Sequence, residues 1–180
     1  MTTKKVNWKE YLKNLNQEDK LKLKAIRLIV KILVIIGAVF ILTNFVFGIY
    51  ICHDSDNFPS IKDGDLIITY RCSKYYSGDL VAYRQNAKTR FGRVVGVAGD
   101  VIDISEDTYS VNGLYPNENV YYRTLPNKDS NITYPYMVED GAVFVLNDYR
   151  EDAGDSRQFG AVKTSDLQGR IVLMLRRRGF

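Results

Sequence analysis

Residues 90–104 read RFGRVVGVAGDVIDI. Valine and isoleucine crowd both sides of the Ala98-Gly99-Asp100 stop, and β-branched side chains fit a pleated, half-buried surface better than a helix. Each half is too short for an ordinary helix, so the segment predicts two strands joined by a tight turn. The pattern recurs outward in both directions. DLIITYR (65–71) and DLVAYR (79–84) precede it, and AVFVLN (142–147) and GRIVLML (169–175) follow it. KDGD (62–65) and YSGD (76–79) punctuate the earlier runs as VAGD (97–100) punctuates this one. Short β-type runs separated by Gly-Asp turns predict a mainly β domain, built as an antiparallel sheet or barrel-like sandwich.

Upstream the composition changes. Residues Ile32–Cys52, ILVIIGAVFILTNFVFGIYIC, form 21 positions without a charge, roughly 31 Å as a helix against a hydrocarbon core of about 30 Å. The run is expected to be a transmembrane helix that is not removed as a secretory signal. Residues 1–31 carry nine Lys or Arg against three acids, whereas the remainder holds 16 basic and 18 acidic residues. The excess of positive charge on one flank places residues 1–31 as a cytoplasmic arm and 53–180 as an extracellular domain of a single-pass membrane protein. Trp8, Tyr11, Leu12, Leu15, Leu21, Leu23 and Ile26 recur weakly among the lysines, which fits an interfacial helix or a solvated tail. Basic charge confined to an arm beside an apolar run favours anionic lipid and speaks against nucleic acid as a partner.

Asp103–Asp140 is rich in Tyr, Asn, Asp and Pro, including Tyr121, Tyr122, Tyr134 and Tyr136, and is expected to form an insertion between two core halves. Its tyrosines serve either cross-strand packing or a partner surface. Two cysteines, Cys52 and Cys72, make no disulfide framework, and with His53 as the single histidine no metal site is expected. No cofactor is implied either. Arg176, Arg177 and Arg178 form a solvated tail or a contact with anionic polymer or headgroups.

Four segments, taken in chain order, resemble the sequence boxes of type I signal peptidases. Asp56-Asn57-Phe58-Pro59-Ser60-Ile61 is similar to the nucleophile box SMxPTL, and Lys62-Asp63-Gly64-Asp65 to the turn after it. Ser77–Tyr83 resembles the strand box RGDIVVF, and Gly92–Asp100 resembles KRVIGLPGD, whose leading lysine is the family's general base. Val145–Gly160, with Asp155 and Arg157 at its centre, resembles GDNxxxSxDSRxxG. The resemblance implies a signal-peptidase-like antiparallel β domain after one N-terminal transmembrane helix.

The departures fall on the chemistry. The family's serine is deprotonated by a lysine whose amine is kept neutral by burial. Here Asp56 stands at the serine position and Gly92 at the lysine position. Ala153 replaces the serine that orients the lysine, and Asp54 puts a carboxylate near the oxyanion hole, where it opposes developing negative charge. The framework residues Pro59, Gly64, Asp65, Gly78, Asp79, Arg93, Gly99, Asp100, Asp155, Arg157 and Gly160 remain. Losing a nucleophile or base in a serine protease costs about a millionfold in rate. Alternative chemistries have weaker sequence support: Ser55 or Ser60 with Lys88, an Asp54/Asp56 carboxylate pair, or His53 as base. Asp and Gly at the serine and lysine positions also occur in the catalytically inactive SipA/LepA-type pilus-assembly proteins of streptococci, which this chain resembles. That implies a non-catalytic chaperone or accessory factor whose partners are pilin subunits and a class C sortase. Asp56, Asn57, Phe58, Pro59, Tyr83 and Gly92 are then candidate peptide- or partner-binding positions. Asp155 and Arg157 are expected to form a structural ion pair.

Overall fold

The computed structural model describes residues 16–105, 107–117, 122–151 and 154–176. Residues 1–15 of the basic arm, together with Tyr121, Ala153, Arg177 and Arg178, lie outside the described residues. The chain divides into two units, residues 1–42 and 43–180.

Among the described residues the first unit holds the helix α1 (Gln17–Ile41), which continues into a π-helical turn at Leu42–Val46. Gln17–Val46 is a stretch of 30 residues, long and apolar enough to cross a membrane. None of its helical residues is buried by protein. The boundary differs from the expected Ile32–Cys52 span. Phe47–Ile51 leaves the helix and forms strand β1, paired antiparallel with β2 (Leu66–Tyr70) from Phe47↔Tyr70 to Ile51↔Leu66. A continuous apolar run carries no periodicity with which to separate a helix from a buried strand, and here β2 supplies the hydrogen bonds that decide it. At the other end, Gln17–Lys31 joins the same helix.

In the second unit the large sheet is antiparallel throughout, in the order β1-β2-β10-β3-β4-β8-β9. Its further members are β3 (Leu80–Gln85), β4 (Lys88–Val97), β8 (Ala142–Leu146), β9 (Val162–Lys163) and β10 (Leu167–Leu175). The opening sequence stretch becomes β4, a turn, and β5 (Val101–Ser105), the central strand of a second sheet with β6 (Thr108–Val111) and β7 (Tyr136–Met137). This small sheet takes its strands from both ends of the expected 103–140 insertion and shares a core with the large one: Ile102, Ile104 and Tyr109 pack with Val95, Phe144 and Leu146. The tyrosines there are largely packing residues. Tyr136 lies 5.3 Å from Phe144 and Tyr122 lies 4.9 Å from Tyr149, ring centre to ring centre.

The three Gly-Asp turns share one construction. In each, the Asp main-chain N–H donates to the carbonyl three residues earlier: Asp65 to Lys62, Asp79 to Tyr76 and Asp100 to Val97. The Asp carboxylate accepts in return from that earlier N–H at 2.8–3.0 Å. The intervening Gly64, Gly78 and Gly99 have φ of +82°, +95° and +88°, a conformation that glycine adopts without steric cost. These turns fix where β2, β3 and β5 begin, and so fix the register of the sheet.

Candidate functional site

The segment 53–61 is held against β4 by a single buried amide. Asn57 donates from Nδ2 to the Phe91 carbonyl at 2.8 Å, and its Oδ1 accepts from the Asp148 N–H at 3.3 Å. The Asp56 carbonyl accepts from the Tyr149 N–H at 3.0 Å. Asparagine can do this because one side chain offers both donor and acceptor. Behind the loop, Asp148 pairs with Arg93 at 2.6 Å, and Arg93 also donates to the Ser60 hydroxyl at 3.2 Å. Asp56 and Gly92, 36 positions apart, are thereby drawn to neighbouring segments.

The Asp56 carboxylate lies 4.0 Å from Arg90 Nη1, with both side chains about one-third exposed. Arg90 donates from the same nitrogen to the Gly154 carbonyl at 2.9 Å, so it links the Asp56 loop, β4 and the segment before Asp155. Asp54 has a different partner, accepting from the Cys52 thiol on its carbonyl at 3.3 Å and its Oδ1 at 3.5 Å. Burial, reinforced by the Asp54 carboxylate, pushes the Cys52 thiol up to about 12. Cys52 is therefore a neutral donor at ordinary pH.

A groove of about 520 Å³ runs beside this loop, lined by Tyr50, Ile51, His53, Asp54 and Asp56 on one side and Lys88–Phe91 on the other. It lies where β4 has one strand neighbour. β3 accompanies β4 from Lys88 onward, whereas β8 joins only at Arg93↔Leu146. Val94 exchanges main-chain bonds with Gly78 and Asp79 on the β3 side. Alternation along the strand then turns the main chain of Thr89 and Phe91 away from β3, where Asn57 meets the Phe91 carbonyl. Tyr50 of β1, an edge strand, reaches Phe91 with ring centres 6.3 Å apart. A second hollow of about 290 Å³ is lined by Ser55, Asp56, Phe58 and Tyr149.

Position 92 is closed. A Cβ on Gly92 would meet Val145 Cγ1 at 2.4 Å, the Leu146 carbonyl oxygen at 3.3 Å and Tyr83 Cε1 at 3.5 Å. Val145 and Tyr83 are fully buried in one apolar cluster with Val81, Val94 and Val143. The Tyr83 hydroxyl has no hydrogen-bond partner among the described residues. Burial first, then the Asp155 carboxylate, pushes the phenol well above the usual tyrosine range.

Asp155 and Arg157 form a fully buried pair, with Arg157 Nη2 to Asp155 Oδ2 at 2.8 Å and Nε to Oδ1 at 2.9 Å. Asp155 also caps the short helix α2 (Ser156–Phe159) by accepting from the Arg157 N–H, and it accepts from the Asn147 N–H at 2.9 Å. Arg157 in turn donates to the carbonyls of Leu125 and Arg150. The pair therefore ties the end of β8 to the segment around Leu125.

Residues 25–175 match the family model described as signal peptidase, peptidase S26. The chain belongs to the S26 signal peptidase family. It is 31% identical over 144 residues to a signal peptidase I of Bacillus caldolyticus, covering 71% of this chain and 78% of that one. It is 28% identical over 170 residues to signal peptidase IB of Staphylococcus aureus strain Mu50, covering 84% of this chain and 89% of the relative. The solved signal peptidase I of Enterococcus faecalis V583 aligns with a TM-score of 0.45 at 25% identity, over 56% of this chain and 98% of that one.

Within this signal peptidase family member, the candidate residues separate by exposure. Asp54, Asp56 and Phe58 border the open hollows, and Pro59 is exposed. Asn57, Tyr83 and Gly92 are buried and border neither hollow. Ala153 lies outside the described residues. Ser60 is engaged by Arg93 rather than turned to a base. Sequence reasoning missed Tyr50, Ile51, Thr89, Phe91 and Tyr149. The first two were absorbed into the apolar run, and the others face the groove only because the loop folds back on β4.

Proposed function

We propose that this signal peptidase family member does not cleave signal peptides, and that it acts as a membrane-anchored chaperone or accessory factor in sortase-dependent pilus assembly on a Gram-positive cell. The observation that carries the first half is the closure of position 92. In the family resemblance a buried amine at this position accepts the proton of the nucleophile, and here Val145 and Tyr83 occupy the space such an amine would need. The carboxylate at position 56 faces Arg90 and is not a nucleophile of the serine type. Asp54, Asp56, Gly92 and Ala153 are thus read as degenerate catalytic positions.

The second half rests on the resemblance to the inactive pilus-assembly proteins and on the retained groove. An extended segment of a pilin subunit or of a class C sortase is the proposed occupant. The single-neighbour stretch of β4 suits strand addition, with Asp56, Phe58 and Pro59 at the mouth. The nine basic residues before the apolar run support a cytoplasmic N-terminus and a β domain at the cell surface in this reading.

The second reading is an active type I signal peptidase, favoured by relatives named as peptidases at 28–31% identity. Incubating the detergent-solubilised full chain with a preprotein separates the two. No processed product is expected, and turnover that survives Asp56→Ala but is lost in Ser55→Ala would sink the non-catalytic reading. For the pilus role, a deletion strain is expected to accumulate unpolymerised pilin. Normal polymers in that strain count against it.

A further inference from the structure

The loop that carries Asp56 borders a second space besides the groove. Ser55, Asp56, Phe58 and Tyr149 line a hollow of about 290 Å³, at the lower end of small-ligand sites, which run from roughly 300 to 1,000 Å³. It has room for one long side chain. Main-chain bonds fix its walls: the Phe58 N–H donates to the Ser55 carbonyl at 3.0 Å, and the Tyr149 N–H donates to the Asp56 carbonyl at 3.0 Å. The Tyr149 ring is braced edge-on by Tyr122, and its hydroxyl donates to the Glu151 carboxylate at 3.1 Å. Walls held in this way need little further ordering when something binds. The lining is therefore two aromatic rings, a hydroxyl and a carboxylate, with a second carboxylate attached to Tyr149.

We propose that this hollow receives a cationic side chain, lysine or arginine, from the extended segment that lies in the groove. The inference rests on the peptide-binding part of the reading above, but not on the loss of catalysis or on the pilus role. The class of side chain follows from the lining. Aromatic faces attract ammonium and guanidinium groups, and they also cover the apolar stem behind the charge. Phe58 already holds such a group: Lys62 Nζ stands over its ring, 5.1 Å from the centroid, from outside the lining of the hollow. Asp56 supplies the opposite charge. A carboxylate has about four acceptor sites, so Asp56 can meet an incoming cation while keeping its 4.0 Å contact with Arg90. An acidic side chain would face Asp56 and Glu151 as like charges, and a purely apolar one would cover Asp56 from water without pairing it. Asp56 also lines the groove. The two spaces adjoin at that residue, which lets a strand in the groove reach the hollow with a single side chain.

Fluorescence anisotropy tests this on the full chain in detergent micelles. The probes are fluorescein-labelled nonapeptides of alternating Thr and Val with Lys, Arg, norleucine or Glu at the centre. Their uniform frame lets the central residue find the hollow from any register. The Lys and Arg peptides are expected to bind about five- to tenfold more tightly than the norleucine peptide, and the Glu peptide more weakly than all three. The ratio of Lys to norleucine affinity, taken within each variant, should fall toward one in Asp56→Asn and be reduced in Phe58→Leu. Equal affinities of the wild type for the Lys and norleucine peptides overturn the proposal and leave the groove reading standing. A cationic preference that survives both substitutions places the charge at another site and also overturns it. No binding by any of the four peptides removes the peptide-binding reading and the proposal with it.

Discussion

Restoring the family's chemistry at positions 56 and 92 is expected to fail for a reason visible in the packing. In the double variant Asp56→Ser, Gly92→Lys, the new Cβ at position 92 falls 2.4 Å from Val145 Cγ1, well inside contact distance. Val145 is fully buried and cannot swing into solvent. Overpacking of this kind costs about 1–3 kcal/mol. The amine then has to stay neutral in an apolar cluster. Moving a lysine from its ordinary value near 10.4 to about 7 corresponds to roughly 4–5 kcal/mol at neutral pH. Together these approach the whole stability of an ordinary domain, about 5–15 kcal/mol. The double variant should therefore melt far below wild type and leave a preprotein uncut. Adding Val145→Ala opens the space and should recover the overpacking part, raising the melting temperature again without full peptidase activity, because Asp54 still opposes an oxyanion. Thermal melting in parallel with preprotein cleavage reads both effects. A double variant that melts with wild type and cleaves at the rate of an active signal peptidase would refute the claim that position 92 is closed.

Three further outcomes follow from single contacts. Arg157→Ala leaves the Asp155 carboxylate buried without its partner, and should cost about 3–5 kcal/mol in denaturant unfolding. Asn57→Ala strips partners from the Phe91 carbonyl and the Asp148 N–H, so a loss of about 1–3 kcal/mol is expected, with amide exchange rising selectively in 53–61. Tyr83→Phe removes a buried hydroxyl without a partner and should stabilise by about 1 kcal/mol at neutral pH. It also carries a pH signature. The Tyr83 phenol is raised in the folded state, so its proton favours folding fully below the ordinary value near 10, and that contribution is lost as pH rises beyond it. Cys52 adds a similar loss between 9 and about 12. Wild type should lose stability above pH 9, and Tyr83→Phe should flatten the part above 10. Identical alkaline slopes for the two proteins would contradict a desolvated phenol.

The strands were legible because their signals are local. β-branched runs bounded by Gly-Asp name β2 to β5 directly, and the turns they predict recur with the same pair of hydrogen bonds at Asp65, Asp79 and Asp100. The end of the membrane span was not legible, because FGIYI at 47–51 is as apolar as the helix before it and is claimed by β2 across a long separation. The groove was half legible. Asp54 and Asp56 stood out by their place in a box, while Thr89, Phe91 and Tyr149 gain their position from the Asn57 amide and from β8 starting late. The burial of Tyr83 was not legible, because a sequence box does not say which way a side chain points, and here it points into the core.

The closure at position 92 supports the non-catalytic reading proposed above. A glycine substituted into an intact protease site would leave a gap where the lysine stem had been. Here that space is filled by Val145, and the neighbouring tyrosine buries its hydroxyl without a partner among the described residues. Arg90 meanwhile engages both Asp56 and the Gly154 carbonyl, so the Asp56 loop is held by an ion pair and a main-chain bond. The apparatus that shapes the groove, namely the Asn57 amide, the Asp148–Arg93 pair and the Asp155–Arg157 pair, is complete and mostly buried. On the proposed non-catalytic reading, Asp56 is a charged group at the mouth of the groove. Charge reversal by Asp56→Lys, which sets two cations against each other beside Arg90, should weaken pilus assembly more than Asp56→Asn does, and equal polymer yields from the two strains would show that the cleft mouth takes no part.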